Sequence, residues 1–220
     1  MGSRAVGETM NTTAVIIIDM QNAFFAAGGS LDRRGDRIAN AGELISRIND
    51  LVNFAHSHGM PVIFTRLVFD PNARSQSPLQ KKMAESDRHL SYFAGAEDAC
   101  LISSLTRADG DCVIDKAGYD PFHNTDLENL LRQQGVRRVV VAGVLTNICV
   151  ESCVRSAFER GFEVIVIEDA TDSYSASAKA ASLGSMRRGF ASVQSLNDFL
   201  RLAGDHAETA SRTQPQKFAS

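Results

Sequence analysis

The sequence predicts an α/β protein, a three-layer αβα sandwich built on a six-stranded, mostly parallel sheet. Short apolar, β-branched runs alternate along the chain with segments whose apolar residues recur every three or four positions. No internal repeat or linker interrupts that alternation, and 220 residues, 44% hydrophobic and 22% charged, suit one globular domain with a single core. Strands buried on both faces and joined by right-handed crossover helices follow from this pattern.

The elements come in order. Residues 1–12 read as a disordered leader and residues 204–220 as a disordered tail, leaving a domain over 13–203. Ala14 to Ile18 is a buried strand that ends at Asp19. From Gly35 the residues Ile38, Ala41, Ile45, Ile48, Val52 and Ala55 mark a helix closed at His58 and Gly59. A second strand, VIFTRLVF, follows Pro61, and the polar stretch from Asp70 to about Ser91 reads as a long loop. Cys112 to Asp115 forms the third strand, with Lys116 just beyond it. Thr125 and Glu128 have the spacing of a capping box for a helix that stops at Gly135. Arg138 to Gly143 is the fourth strand, followed at once by a helix running through Arg160. Glu163 to Ile167, a helix from Ser175 to Arg188, a short strand Ala191 to Val193 and a last helix Leu196 to Leu202 complete the domain.

Composition narrows the function. A net charge of -3, with basic and acidic residues mixed along the chain, gives no electrostatic basis for binding nucleic acid or an anionic membrane. No apolar run approaches the roughly 18 residues that span a bilayer, and no secretory signal pattern opens the chain, so the expectation is a cytoplasmic protein. Four cysteines in so long a chain read as reduced thiols. A small molecule is the expected partner.

Open parallel sheets bind ligands beyond the carboxyl ends of their strands. Three chemically active residues stand there: Asp19 after the first strand, Lys116 after the third, and Cys149 at the start of the helix after the fourth. Each has a structural alternative, as a turn former, a solvated cation and a packing thiol respectively. Together they supply a nucleophile, a proton shuttle and electropositive support. A helix start and a neighbouring ammonium favour thiolate, and a carboxylate can take the thiol proton and return it to a leaving amine.

The segments VIIIDMQNAFF, DKAGYDPFHNTDL and GVLTNICVESCVRSAFERGFEVIVIEDAT carry these residues, and over about residues 13 to 200 the chain resembles the isochorismatase-like cysteine hydrolases. The resemblance implies the family's hydrolase fold, with strand order 3-2-1-4-5-6. It implies Asp19 as general base, Lys116 as its orienting cation and Cys149 as nucleophile. It further implies a cis peptide between Val144 and Leu145, and an oxyanion hole from the amides of Leu145 and Cys149. A homodimer or homotetramer is implied as well.

Within the family, nicotinamidases carry a metal site of an aspartate and histidines after the second strand. Here FTRLVFDPNARSQSP holds Asp70 and no histidine, and the five histidines lack ligand spacing, so neither metal nor other cofactor is expected. Isochorismatases cleave a vinyl ether without a cysteine nucleophile, whereas TNICVES and EDAT resemble the ureidoacrylate and biuret amidohydrolases, which cut small carbamoyl compounds. Around the three residues, Phe24, Tyr119, Phe122 and Val144 are expected to wall the pocket, with core or lid packing as the alternative for the aromatics. Gln21, Asn22 and Asn147 are placed to hydrogen-bond a ureido group or to cap turns, and Arg66 to pair with a substrate carboxylate or to stand at the surface. The rivals are a redox protein using Cys149 and Cys153, a catalytically silent binding homologue, and a dinucleotide-binding oxidoreductase. The first lacks the two-residue cysteine gap, and the last lacks spaced glycines after a strand.

Overall fold

The computed structural model describes residues 12–68, 78, 82 and 95–202. The leader up to residue 11, the tail and nearly all of the expected long loop lie outside the described residues. Six strands form one sheet: β1 (Thr13–Ile18), β2 (Val62–Leu67), β3 (Cys112–Lys116), β4 (Arg138–Val144), β5 (Glu163–Asp172) and β6 (Ser192–Gln194). Their order is β3-β2-β1-β4-β5-β6 and every pairing is parallel. The order reverses beside β1, which places the topological switch between β1 and β4.

Central position explains the composition of β1. Flanked by β2 and β4 and covered on both faces, all six of its residues are buried, and alternation sends them to opposite layers. Val15 and Ile17 join Phe64, Val140 and Ala142 against α3 (Ala41–Ser57), whose Leu44, Ile48, Leu51, Val52 and Ala55 form its inner stripe, and against a helix over 196–202. Ala14, Ile16 and Ile18 join Ile63, Val139 and Val141 against α4 (Leu127–Gln133), α5 (Glu151–Glu159) and α6 (Ala176–Gly189).

Several elements differ from the sequence reading. Two short helices, α1 (Asn22–Phe25) and α2 (Ser30–Arg34), lie between β1 and α3. The periodicity from Gly35 starts too early: Gly35 closes α2 at a φ of 82°, and Ile38 is buried ahead of a helix that begins at Ala41. The Thr125–Glu128 capping box does not form. Glu128 instead meets Arg160 of the α5 end at 3.0 Å, a long-range charge partner that outcompetes the local cap. Strand β5 runs five residues past Ile167, and β6 sits one residue later than read. Among the described residues no helix is long and apolar enough to cross a membrane.

Candidate active site

Asp19 leaves β1 with a φ of 51°, a left-handed conformation that turns the chain sharply at the carboxyl edge of the sheet. Its amide donates to the Thr65 carbonyl and to Thr65 Oγ1, each at 3.2 Å. Thr65 Oγ1 in turn donates to Asp19 Oδ1 at 2.6 Å. The second carboxylate oxygen, Oδ2, lies 2.7 Å from Lys116 Nζ, with both side chains fully shielded from solvent. Lys116 ends β3, and its ammonium also donates to the Gly118 carbonyl at 3.1 Å.

Cys149 reaches the same place from β4. A wide π-type turn, Thr146–Val150, separates β4 from α5, and Cys149 is its fourth residue, only 3% exposed. The segment before it is held by buried hydroxyls. Thr171 Oγ1 donates to the Gly143 carbonyl at 2.7 Å, so in the 2.9 Å contact between Thr146 and Thr171 the hydrogen comes from Thr146. Ser182 Oγ donates to the Thr146 carbonyl at 3.2 Å. Between these anchors the Val144–Leu145 peptide is cis. Gly143, at a φ of 112°, lies against Ile18, where an added Cβ would come within 2.6 Å of the Ile18 amide nitrogen and closer still to its carbonyl oxygen. Only glycine permits that approach.

The thiol interacts with both charged neighbours. Burial pushes its pKa well above the ordinary thiol range, Lys116 pulls it down, and the Asp19 carboxylate pushes it up again. Cys149 sits inside a wide turn rather than at the clean helix start that the sequence suggests, so desolvation works against the pull of the cation. Lys116 also loses charge stability to burial, but Asp19 and then Cys149 more than offset the loss and hold the ammonium above the usual lysine range.

The other expected site residues divide. Tyr119, 37% exposed, lies within electrostatic range of Cys149 and Lys116. Its hydroxyl titrates above the usual range because burial disfavours phenolate; Cys149 adds to this and Lys116 opposes it. Asn147 lies on the same turn as Cys149, and its side-chain oxygen accepts from Ser173 Oγ at 2.7 Å. Val144 and Leu145 are buried beside it.

Gln21 is spent on structure. Its amide donates to the carbonyls of Leu67 and Ala99, both at 3.0 Å, and its oxygen accepts from the Leu67 amide at 2.7 Å. Asn22 donates to the Glu97 carbonyl and lines a different cavity with Gly28, Gly29, Arg33 and Asp98. Phe24 packs in the α3-side core, and Phe122 in the opposite core against Phe162. Arg66 forms a bidentate pair with Asp115, at 2.7 Å through Nε and through Nη2. Alternation along β2 turns it to the face opposite Thr65, away from Lys116 and Cys149. The chain turn after Asp19 separates these neighbours in sequence from the site itself.

Thr65, Thr171, Ser173 and Tyr174 were missed by sequence reasoning. Tyr174, 42% exposed, lies within electrostatic range of Tyr119, as does Arg34. The one signal for Thr65 was a hydroxyl in the otherwise apolar run VIFT, one residue past the Ile17–Phe64 pairing. Among the described residues no three of His, Cys, Asp or Glu are grouped to hold a metal.

A parallel sheet of this order, gathering a thiol, a carboxylate and an ammonium at its carboxyl edge, is the frame of an α/β enzyme. The family model for the Isochorismatase domain matches residues 13–198, and the chain belongs to the isochorismatase family. It is 36% identical over 172 residues to the ureidoacrylate amidohydrolase RutB of Methylobacterium radiotolerans, covering 73% of this chain and 67% of that protein. To RutB of Pseudomonas syringae pv. syringae it is 33% identical over 201 residues, 85% of this chain and 82% of the relative. A crystal structure of a cysteine hydrolase from Pseudomonas syringae pv. phaseolicola superposes with a TM-score of 0.79 at 25% identity, covering 90% of this chain and 94% of that one. The family and strand order expected from the sequence both hold.

Proposed function

We propose that the protein is a cysteine-dependent amidohydrolase that cleaves a C–N bond of a small ureido compound such as ureidoacrylate. The observation that carries this reading is the buried contact of Asp19 with Lys116 beside the buried Cys149 thiol. A thiol that burial pushes above its ordinary range needs a base at the moment of attack, and Asp19 is the carboxylate beside it.

As Sγ adds to the ureido carbonyl, Asp19 takes its proton, and the carbonyl π pair becomes an oxyanion held by the Leu145 and Cys149 amides. Collapse of the oxyanion breaks the C–N bond, and protonated Asp19 delivers the proton to the departing nitrogen. Water then attacks the S-carbamoyl thioester, giving its proton to Asp19. The thiolate leaves and is reprotonated from Asp19, which restores the starting state. Lys116 favours the ionised carboxylate between the proton transfers, and Tyr119 and Asn147 border the substrate.

The likeness to enzymes named ureidoacrylate amidohydrolase supports the substrate class. The test is release of ammonia or amine from ureidoacrylate, biuret, N-carbamoyl amino acids and nicotinamide. Turnover of a carbamoyl compound that disappears in Cys149→Ala, with unfolding unchanged, is the expected result. Silence on every carbamoyl substrate overturns the substrate class, and retained turnover in Cys149→Ala overturns the mechanism.

A further inference from the structure

We propose that Thr65 is a positioning residue for the Asp19 carboxylate, selecting which of its two oxygens serves as the base; this rests on Asp19 acting as base in the reaction above. Thr65 is fully buried in β2, on the face it shares with Ile63, where a valine would fill the same volume. A hydroxyl there is costly unless it is bonded, and both of its capacities go to a single residue. Its hydrogen goes to Asp19 Oδ1 at 2.6 Å, and its oxygen receives the Asp19 amide at 3.2 Å.

This bracket fixes the main chain and the side chain of Asp19 together, across the junction of β1 and β2. With Oδ1 accepting from Thr65, Oδ2 is the oxygen that meets Lys116, and it is the less encumbered one for the thiol proton. A rotation about the carboxylate axis would break the 2.6 Å bond. The freedom removed is the freedom that would take the base out of line with Sγ, and misplacement on the order of 1 Å costs up to about 100-fold in rate.

The test compares Thr65→Val, which keeps the volume and loses the hydroxyl, with Thr65→Ser, which keeps the hydroxyl. Two readouts are taken. The first needs no substrate: the rate of Cys149 alkylation by iodoacetamide at pH 7, followed by peptide mass spectrometry, with exposed Cys100 as internal standard. The second is kcat and KM on whichever carbamoyl compound the wild type cleaves.

The expected result for Thr65→Val is Cys149 alkylation and kcat slowed about 10- to 100-fold, KM within about twofold and Cys100 unchanged. Thr65→Ser should recover to within about threefold of wild type. Wild-type rates in a folded Thr65→Val, or equal losses in the Val and Ser variants, overturn the proposal. If Thr65→Val does not fold, Thr65→Ala takes its place against the same Ser comparison. Asp19→Asn is run in parallel: if it retains wild-type rates the base assignment fails, whereas loss there with none in Thr65→Val removes only the positioning role.

Discussion

Replacing Lys116 by methionine removes the cation paired with Asp19 while roughly preserving volume. At 2.7 Å and an effective dielectric of about 20, the gross attraction between Nζ and Oδ2 is about 6 kcal/mol. Desolvation of two fully shielded groups consumes much of it, so the pair adds little net stability, but an unpaired buried carboxylate is another matter. Breaking such a pair from one side costs about 3 to 5 kcal/mol. Lys116→Met is therefore expected to lower the unfolding free energy by about that amount, a fall in Tm of roughly 6 to 20 °C. Asp19→Asn combined with Lys116→Met removes both charges and should recover more than half of the loss. Urea unfolding followed by circular dichroism, with the m-value checked for constancy, measures all three variants. A loss under about 1 kcal/mol in the single variant, or a double variant no more stable than the single, would refute the reasoning.

Three further outcomes follow from the same geometry. Burial raises both Cys149 and Cys153, so unfolding releases their protons once pH passes the ordinary thiol value of about 8.5. Lys116, also raised, acts in the same direction above about 10.4. Stability attributable to these groups is then flat below about pH 8 and falls as pH rises; urea midpoints from pH 7 to 10 should decline, less steeply in Cys153→Ala, and a rising midpoint counts against the assignment. Gly143→Ala forces a Cβ into the Ile18 backbone and should cost more than about 3 kcal/mol or prevent folding, read from soluble yield and thermal unfolding; a wild-type Tm would contradict it. Arg66→Ala should leave KM within about twofold, because the guanidinium is occupied by Asp115 on the other face and an exposed pair is worth about 0 to 1 kcal/mol. A large rise in KM would return Arg66 to the substrate.

What was readable from the sequence and what was not divide along a physical line. Asp19 follows β1, Lys116 ends β3 and Cys149 lies in the turn after β4, and a parallel sheet carries such positions to one edge whatever the loops do. For side chains next to them in sequence the local pattern left substrate binding and structural roles both open. The left-handed turn at Asp19 sends Gln21 into a bracket between β2 and Ala99, and Phe24 into the core, neither of which leaves a mark on local pattern. Glu128 has the spacing of a cap, and only the fold reveals Arg160 beside it. Thr65 and the extension of β5 through Thr171 depend on partners 46 and 28 residues away. Periodicity reports burial; it does not report which distant atom a hydroxyl will find.

The reactive groups lie along a line drawn across the strands rather than along them. Lys116, Thr65, Asp19 and Cys149 come from or just after β3, β2, β1 and β4, which are consecutive neighbours in the sheet. Strands lie about 4.8 Å apart, so the sheet itself is the ruler: lysine, two strands from Asp19, has to cross the place of Thr65 to reach it. Loops can then be remodelled for new substrates without retuning the distances among these four. A slip of one residue in β2 or β3, by contrast, would turn Thr65 or Lys116 to the opposite layer and dismantle the set at a stroke.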